Sequence, residues 1–333
     1  MSSSSSPMVR LCVRSIALAA LSLLLVSPAH AEEQGAGSSF DAGRASFSVR
    51  TGGEVNPYRI LAVCAMPGEG VNIEVVESAV AGVVVASAGE GDLLTSRPGR
   101  WVWTAPRMAG IYPVELGRQD TGEAMTLNML VLVPASSVSN CKLNGYRIGS
   151  YPGTAWNGLA VYRPPRGFIE VTEANSDTPV SPHFTLGQFL SKQQSGYPKY
   201  VVLRERLLLK LELVLEHVNA AGIRADSLHI MSGYRTPYYN HSIGNVDHSR
   251  HLWGGAADIF VDDHPEDGVM DDLNADGVCD VKDARVLYEI IDGLYGKSFY
   301  QRLLGGLGHY RRSAGHGPFV HVDVRGFRAR WGD

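Results

Sequence analysis

Between Ala45 and Val133 the chain runs through short extended segments without a helical period, and a long amphipathic helix pattern begins only near Leu203. This division constrains the fold most, because a half built of strands buries its apolar residues differently from a half that mixes helix and strand. The early segments are Ala45–Arg50, Ile60–Val63, Val71–Val75, Val83–Ala88, Arg100–Thr104, Ile111–Leu116 and Thr126–Val133. Gly, Pro and Asp separate them at intervals that suit a small antiparallel sandwich of the Ig-like kind. In Arg100-Trp101-Val102-Trp103-Thr104 the alternation puts both indoles on one face, which predicts their burial in the sandwich rather than a carbohydrate-binding aromatic patch.

The amino terminus predicts export. Arg10 and Arg14 precede an apolar run from Ile16 to Val26, and Ala29-His30-Ala31 supplies a small-x-small cleavage site. The expected organisation is a signal peptide over 1–31, a flexible start over 32–43 and the β-sandwich over 44–135. A packed linker rich in proline and aromatic residues follows over 136–180, then an α+β domain over 181–333. A mature chain of roughly 300 residues is long for one core and fits two domains. No later stretch reaches the ~20 apolar residues of a membrane span, so the product is expected in the periplasm or secreted. With 30 basic against 34 acidic residues and a net charge of −4, nothing electrostatic points to nucleic acid. Cys12 leaves with the leader; of Cys64, Cys141 and Cys279, the first two are the expected disulfide because both lie in the amino-terminal half.

In the second half, Leu203, Leu207, Leu211, Val214, Leu215 and Val218 share one helix face, with charged residues opposite and Gly222 as the stop. Leu228–Met231, Ala256–Val261 and Phe319–Val324 read as strands, and Val281–Leu294 as a helix with Ala284, Leu287, Ile291 and Leu294 on one face. On or beside those strands stand His251, Asp258 and His321. His251 precedes a Gly-Gly turn and Asp258 begins the next apolar strand, so both can face one point across a tight loop. Two imidazoles and a carboxylate can hold zinc on three sides and leave the fourth open, as in catalytic zinc sites.

The surrounding motifs extend this reading. Ser232-Gly233-Tyr234-Arg235-Thr236-Pro237 with Asn240, Ser249-Arg250-His251 through Asp258, Gly305-Gly306-Leu307-Gly308, and His321-Val322-Asp323 with Arg328 and Trp331 follow in that order. Over roughly residues 180 to 333 the chain resembles the M15 peptidases, zinc D-alanyl-D-alanine carboxypeptidases and murein endopeptidases of the hedgehog/DD-peptidase fold. The resemblance implies that His251, Asp258 and His321 bind zinc and that Arg235 orients substrate, with Tyr234 and Ser249 as further substrate-binding residues. It implies hydrolysis, since zinc acidifies water and polarises an amide carbonyl. Where many relatives carry a His or Glu just before the last ligand, this chain has Gly317-Pro318-Phe319-Val320. Asp323 is then the first candidate for a base or an orienter of His321, and His309 the second.

An acidic insertion, 262–283, separates the second ligand from the third. Within it Asp272, Asn274, Asp276, Val278, Asp280 and Asp283 stand at calcium-loop spacing, with Gly277 at the turn position and a helix following. The expected role of calcium is structural. The leading expectation is therefore an exported zinc peptidase acting on peptidoglycan peptides. A zinc-containing wall-binding module without turnover and a calcium-dependent interaction protein are the alternatives.

Overall fold

Alternation of apolar and polar residues turns the amino-terminal half into two facing sheets, as a period of two demands when only one face of each sheet is buried. The strands are β1 (Arg44–Thr51), β2 (Glu54–Tyr58), β3 (Ile60–Ala65), β4 (Gly70–Val75), β5 (Val84–Ala88), β6 (Asp92–Arg97), β7 (Arg100–Thr104), β8 (Gly110–Arg118) and β9 (Ala124–Val131). This computed structural model describes residues 40–332, so the expected leader, Cys12 and residues 32–39 lie outside the described residues. One sheet has the order β2-β1-β4-β7-β6 and the other β3-β9-β8-β5, with β3 and β9 parallel. Trp101 and Trp103 are both buried, and the Trp103 indole donates to the Glu90 carbonyl at 3.0 Å. Two strands had no signature in the sequence. β2 contains Pro57 between polar residues, and β6 is a largely exposed edge with no apolar face to betray it.

Beyond the sandwich, Val133–Pro134, Gly167–Val171 and Lys199–Val201 pair into a small three-stranded sheet. The chain then enters α1 (Glu205–Ala220), which stops where Gly222 takes φ +86°. The remaining elements are β10 (His229–Ser232), α2 (Pro237–Ser242), β11 (Ala256–Phe260), α3 (Val281–Asp292), β12 (Gly306–Tyr310), β13 (Phe319–Asp323) and β14 (Ala329–Gly332). Their sheet has the order β10-β11-β13-β12-β14, antiparallel except for β12 with β14. The architecture is mixed α/β, with many strands and few helices.

Helix α1 departs from the amphipathic picture in an informative way. Its apolar face is buried as expected, but Lys210 and Glu212 on the charged side are also fully buried. The helix contacts β2 and β3 on one side and α3 on another, and Lys210 and Glu212 fall within that packing, whereas Arg206, Glu216 and His217 stay partly exposed. Each charge is satisfied by a specific partner. Lys210 Nζ donates to the carbonyls of Leu303 and Asp323 at 3.2 and 2.8 Å, and Glu212 accepts from the His183 backbone N–H and ring at 2.9 and 2.6 Å. Such groups cost several kcal/mol if left unpaired, which is why helical periodicity alone misassigned their environment.

The expected Cys64–Cys141 disulfide is absent: Cys64, Cys141 and Cys279 are all free thiols. Cys64 lies on β3 with Sγ 3.7 Å from the Leu203 carbonyl, whereas Cys141 sits exposed at a tight turn with Sγ 3.3 Å from Ser150 Oγ. Each sulfur is committed to different surroundings, and shared residence in one half of the sequence did not bring them together. Among the described residues no helix is long and apolar enough to cross a membrane.

Candidate metal centre

Register in the second sheet builds the site. Asp258 on β11 lies directly opposite His321 on β13, which in turn lies opposite Gly308 on β12. Ser232 and Trp331 extend the row on either side, so Ser232, Asp258, His321, Gly308 and Trp331 share one face. Gly308 is required there: a Cβ would stand 2.3 Å from the Trp331 indole nitrogen, and that indole packs on the His321 ring at 5.2 Å. His251 arrives from a short 3-10 helix, Arg250–Trp253, which ends at Gly254 in the left-handed conformation. A Cβ on Gly254 would lie 2.0 Å from the Val202 carbonyl oxygen, so the turn that aims His251 at Asp258 admits only glycine.

The three ligand candidates are buried and converge on one point. His251 Nε2 is 3.3 Å from His321 Nδ1 and 3.2 Å from Asp258 Oδ1, and His321 Nδ1 is 2.8 Å from Asp258 Oδ1. Among the described residues these are the only three His, Cys, Asp or Glu side chains whose ligand atoms gather in this way. Donors at ~2.0–2.1 Å from a tetrahedral zinc lie about 3.3 Å apart, which two sides of this triangle match, the His321–Asp258 side being shorter.

The outward nitrogens explain the convergence. His251 Nδ1 lies 2.6 Å from the Gly233 carbonyl, so the proton belongs on Nδ1 and the Nε2 lone pair faces inward. His321 Nε2 lies 3.3 Å from Asp323 Oδ2, which puts its proton outward and the Nδ1 lone pair inward. With His321 neutral, two nitrogen lone pairs and a carboxylate oxygen face one another, and a cation between them removes the repulsion. The protonation tendencies of this cluster follow from its charges. Burial pushes the His251 imidazole below its ordinary value. For His321 burial works in the same direction, but the hydrogen bonds to Asp258 and Asp323 outweigh it and raise the imidazole. Burial would raise Asp258, but its two histidine neighbours prevail and hold it well below the usual carboxylate range.

Residues 182–285 match the family model described as Peptidase M15. The chain carries an M15 peptidase domain. The matched span includes His251 and Asp258 and ends before His321, which joins them through the β11–β13 pairing. No curated protein matches the chain. Among solved structures, the Lin-41 filamin domain is similar over 26% of this chain and 96% of its own, at 10% identity and a TM-score of 0.16.

Within the M15 domain the other candidate residues take distinct positions. Arg235 donates from Nη2 to Asp258 Oδ2 at 2.5 Å and from Nε to Ser232 Oγ at 2.9 Å, so it holds the metal-facing carboxylate. Tyr234 is buried with its hydroxyl 2.8 Å from that of Tyr151. Ser249 stands at the N-cap position of the 3-10 helix of His251, with no side-chain bond to its N–H groups, and lines a cleft of about 770 Å³ over the metal triangle. Asp323 is wholly buried behind His321: Oδ1 accepts from the Gly306 and Arg325 backbone N–H groups at 2.8 and 2.9 Å, and Oδ2 faces His321 and the Arg325 guanidinium. Burial would raise this carboxyl, but His321 and Arg325 drive it far below the usual range. His309 points to the opposite face of the sheet, its ring 4.8 Å from Tyr288 of α3.

The cleft contains side chains that sequence reasoning passed over. Trp156, Tyr162 and His248 form an aromatic wall, and His316 faces the same space from the β12–β13 connection. His316 Nδ1 lies 2.8 Å from the Gly317 carbonyl and its ring meets Phe319 edge-on at 4.9 Å. Its signal is visible in the sequence as a histidine five residues before His321 in Gly315-His316-Gly317-Pro318.

The acidic insertion behaves differently. Asp272 accepts from the Asp276 and Gly277 N–H groups at 3.2 and 2.7 Å, and Asn274 accepts from Asp276 at 2.8 Å. Asp280 caps α3, and Asp283 accepts from Leu273, Asn274 and Asp280 at 2.9, 3.2 and 2.8 Å. Val278 stands in the same turn, its N–H bound to Asp276 Oδ1 at 3.1 Å. Lys282 Nζ pairs with Asp276 Oδ2 at 2.7 Å. The carboxylates serve the loop's own backbone and one lysine, and they do not converge as the zinc candidates do.

Proposed function

We propose that this protein is an exported zinc metallopeptidase that hydrolyses peptide bonds of peptidoglycan stem peptides or crosslinks, on a hedgehog/DD-peptidase type of domain. The observation that carries the reading is the buried triangle of His251 Nε2, Asp258 Oδ1 and His321 Nδ1, with sides of 3.2, 2.8 and 3.3 Å, beneath an open cleft. These three residues would hold the metal. When bound there, zinc supplies Lewis acidity, acidifying water and polarising an amide carbonyl.

The chain's own groups do the rest. Gly233 and Asp323 hold the two imidazoles in the tautomers that present lone pairs to the metal. Arg235 acts through Asp258, keeping one oxygen turned inward by binding the other. Asp323 is occupied on both oxygens and strongly acidic, which suits an orienting role and leaves no capacity for proton transfer. His316 is our choice for proton acceptor, since its Nδ1 proton is directed to Gly317 and Nε2 stays available at the cleft. In this reading the leader delivers the protein to the wall, and calcium in the 272–283 loop has a structural role.

The decisive experiment is mass spectrometry of purified peptidoglycan digested with the zinc-loaded mature protein, which reports turnover and the bond cut together. New fragments are expected from the wild type and none from His251→Ala, which should also lose its zinc. Co-sedimentation with peptidoglycan and no fragments from the wild type would replace the enzyme with a wall-binding module.

A further inference from the structure

Helix α2 and its flanks serve two clefts. Arg235 before the helix and Ile243 after it line the metal cleft, together with Arg250 and Arg325. Tyr238, Tyr239 and Ser242 within the helix line a second cleft of about 780 Å³, whose other walls come from residues 144–147 and 192–198. The two clefts share no lining residue. A volume of this size falls in the ~300–1,000 Å³ range of small-molecule sites.

The lining of the second cleft holds two cations, Arg147 and Lys192, and no Asp, Glu, Leu, Ile, Val or Met. Tyr197 and Tyr238 are each 39% exposed, so both rings present surface to the solvent. The Arg147 guanidinium lies 4.9 Å from the Tyr238 ring centroid and donates to its hydroxyl, which holds that ring in place. Tyr146 is buried beneath and meets Tyr200 edge-on at 5.8 Å, tying the floor to the core. Lys192 and Gln194 add exposed donors. The frame around these groups is rigid. Gln193 Nε2 donates to the Arg147 carbonyl at 3.1 Å while its Oε1 accepts from Thr236 Oγ1 at 2.8 Å, and the Tyr238 N–H donates to the Ile148 carbonyl at 3.0 Å. A Cβ on Gly149, where φ is +83°, would stand 2.5 Å from the Tyr238 nitrogen, so this close approach admits only glycine. The walls are therefore set before any ligand arrives.

We propose that this second cleft is a saccharide subsite, which holds the glycan strand of the wall while the attached peptide enters the metal cleft. A pyranose ring has apolar C–H faces and an edge of hydroxyl and N-acyl groups, so it calls for flat amphipathic rings with donors around them rather than aliphatic pockets. Tyr197 and Tyr238 supply the rings, and Arg147, Lys192 and Gln194 the donors. A peptide side chain finds no aliphatic pocket there. Single-stranded nucleic acid also stacks on aromatic rings, but two cations on a chain of net charge −4 attract a polyphosphate weakly. Tyr238 is three residues from Arg235, at most roughly 11 Å along the backbone, so one polymer can occupy both clefts. The choice of wall glycan as occupant rests on the peptidase reading, whereas the fit to a saccharide does not.

The test is isothermal titration calorimetry of the zinc-loaded mature protein with glycan strands stripped of every stem peptide, so that no scissile bond is present. The wild type should bind them. Tyr238→Ala should weaken binding by about tenfold or more, and Tyr238→Phe, which keeps the ring, by no more than about threefold. Lys192→Ala should weaken it by about three- to tenfold through a lost donor, and its exposed position lets it carry the test if Tyr238→Ala does not fold. Absence of binding by the wild type overturns the proposal, as does unchanged affinity in Lys192→Ala together with folded Tyr238→Ala. Displacement of the glycan by a lower concentration of a single-stranded oligonucleotide overturns it as well. Glycan binding by a protein that cuts no stem peptide upholds the subsite and removes the peptidase reading, and cleavage without glycan binding does the reverse.

Discussion

Asp323→Asn tests whether the outward tautomer of His321 is what builds the metal site. The substitution preserves shape and removes one charge. In the native arrangement Oδ2 faces His321 Nε2 at 3.3 Å, while Oδ1 accepts from the Gly306 and Arg325 backbone N–H groups at 2.8 and 2.9 Å. Every one of these neighbours is a donor. An amide has a single acceptor oxygen, so its NH2 must confront either His321 or the Gly306 and Arg325 pair. At ~1–3 kcal/mol for each buried donor left unmatched, together with the broken Arg325 ion pair, metal-free protein should lose about 3–5 kcal/mol of stability. Zinc affinity should fall by ~10- to 100-fold, or about 1.4–2.8 kcal/mol, because His321 no longer has its proton held outward. Urea unfolding in the presence of a chelator measures the first quantity, and competition with a chromophoric chelator the second. Zinc affinity within twofold of wild type would refute the reasoning, whatever the change in stability.

Three further outcomes follow from the same contacts. Gly254→Ala should destabilise by roughly 3–5 kcal/mol in thermal or urea unfolding, because the added Cβ meets the Val202 backbone and φ is +60°; near-native stability would mean that this turn is not rigid. His183 is raised in the folded state: burial opposes this, but the Glu212 carboxylate 2.6 Å from its Nδ1 prevails. The folded protein then binds the proton more tightly, so this stabilisation is complete below ~6.5 and disappears as pH rises through the higher folded value. The difference in stability between wild type and His183→Gln should shrink across that interval, and a pH-independent difference would contradict the assignment. Calcium binding at Asp272–Asp283 requires Asp276 to release Lys282; at ~100 times its Kd calcium should add about 2.7 kcal/mol to stability, and a thermal midpoint unmoved by saturating calcium would argue against the loop.

Local pattern was enough to read the strands with one apolar face, both buried tryptophans of β7, the helices α1 and α3, and the three ligand candidates. Each carries its signature within a few residues, as a period of two, a period near 3.6, or a histidine in an otherwise apolar strand. Edge strand β6 and proline-bearing β2 escaped because their stability comes from a neighbouring strand rather than from their own pattern. The buried charges Lys210 and Glu212, the separate fates of Cys64 and Cys141, and the opposite faces taken by His321 and His309 depended on what packs against them. The amino-acid order by itself determined which side chains can bind a metal, since that is a property of residue type and strand or turn position. Only the tertiary structure decided that Asp258 and His321 meet in register, that Asp323 stands behind them, and that His316, Arg250 and Arg325 face the cleft. Those roles depend on contacts between residues far apart in sequence, and strand register and burial, which set them, leave no local trace.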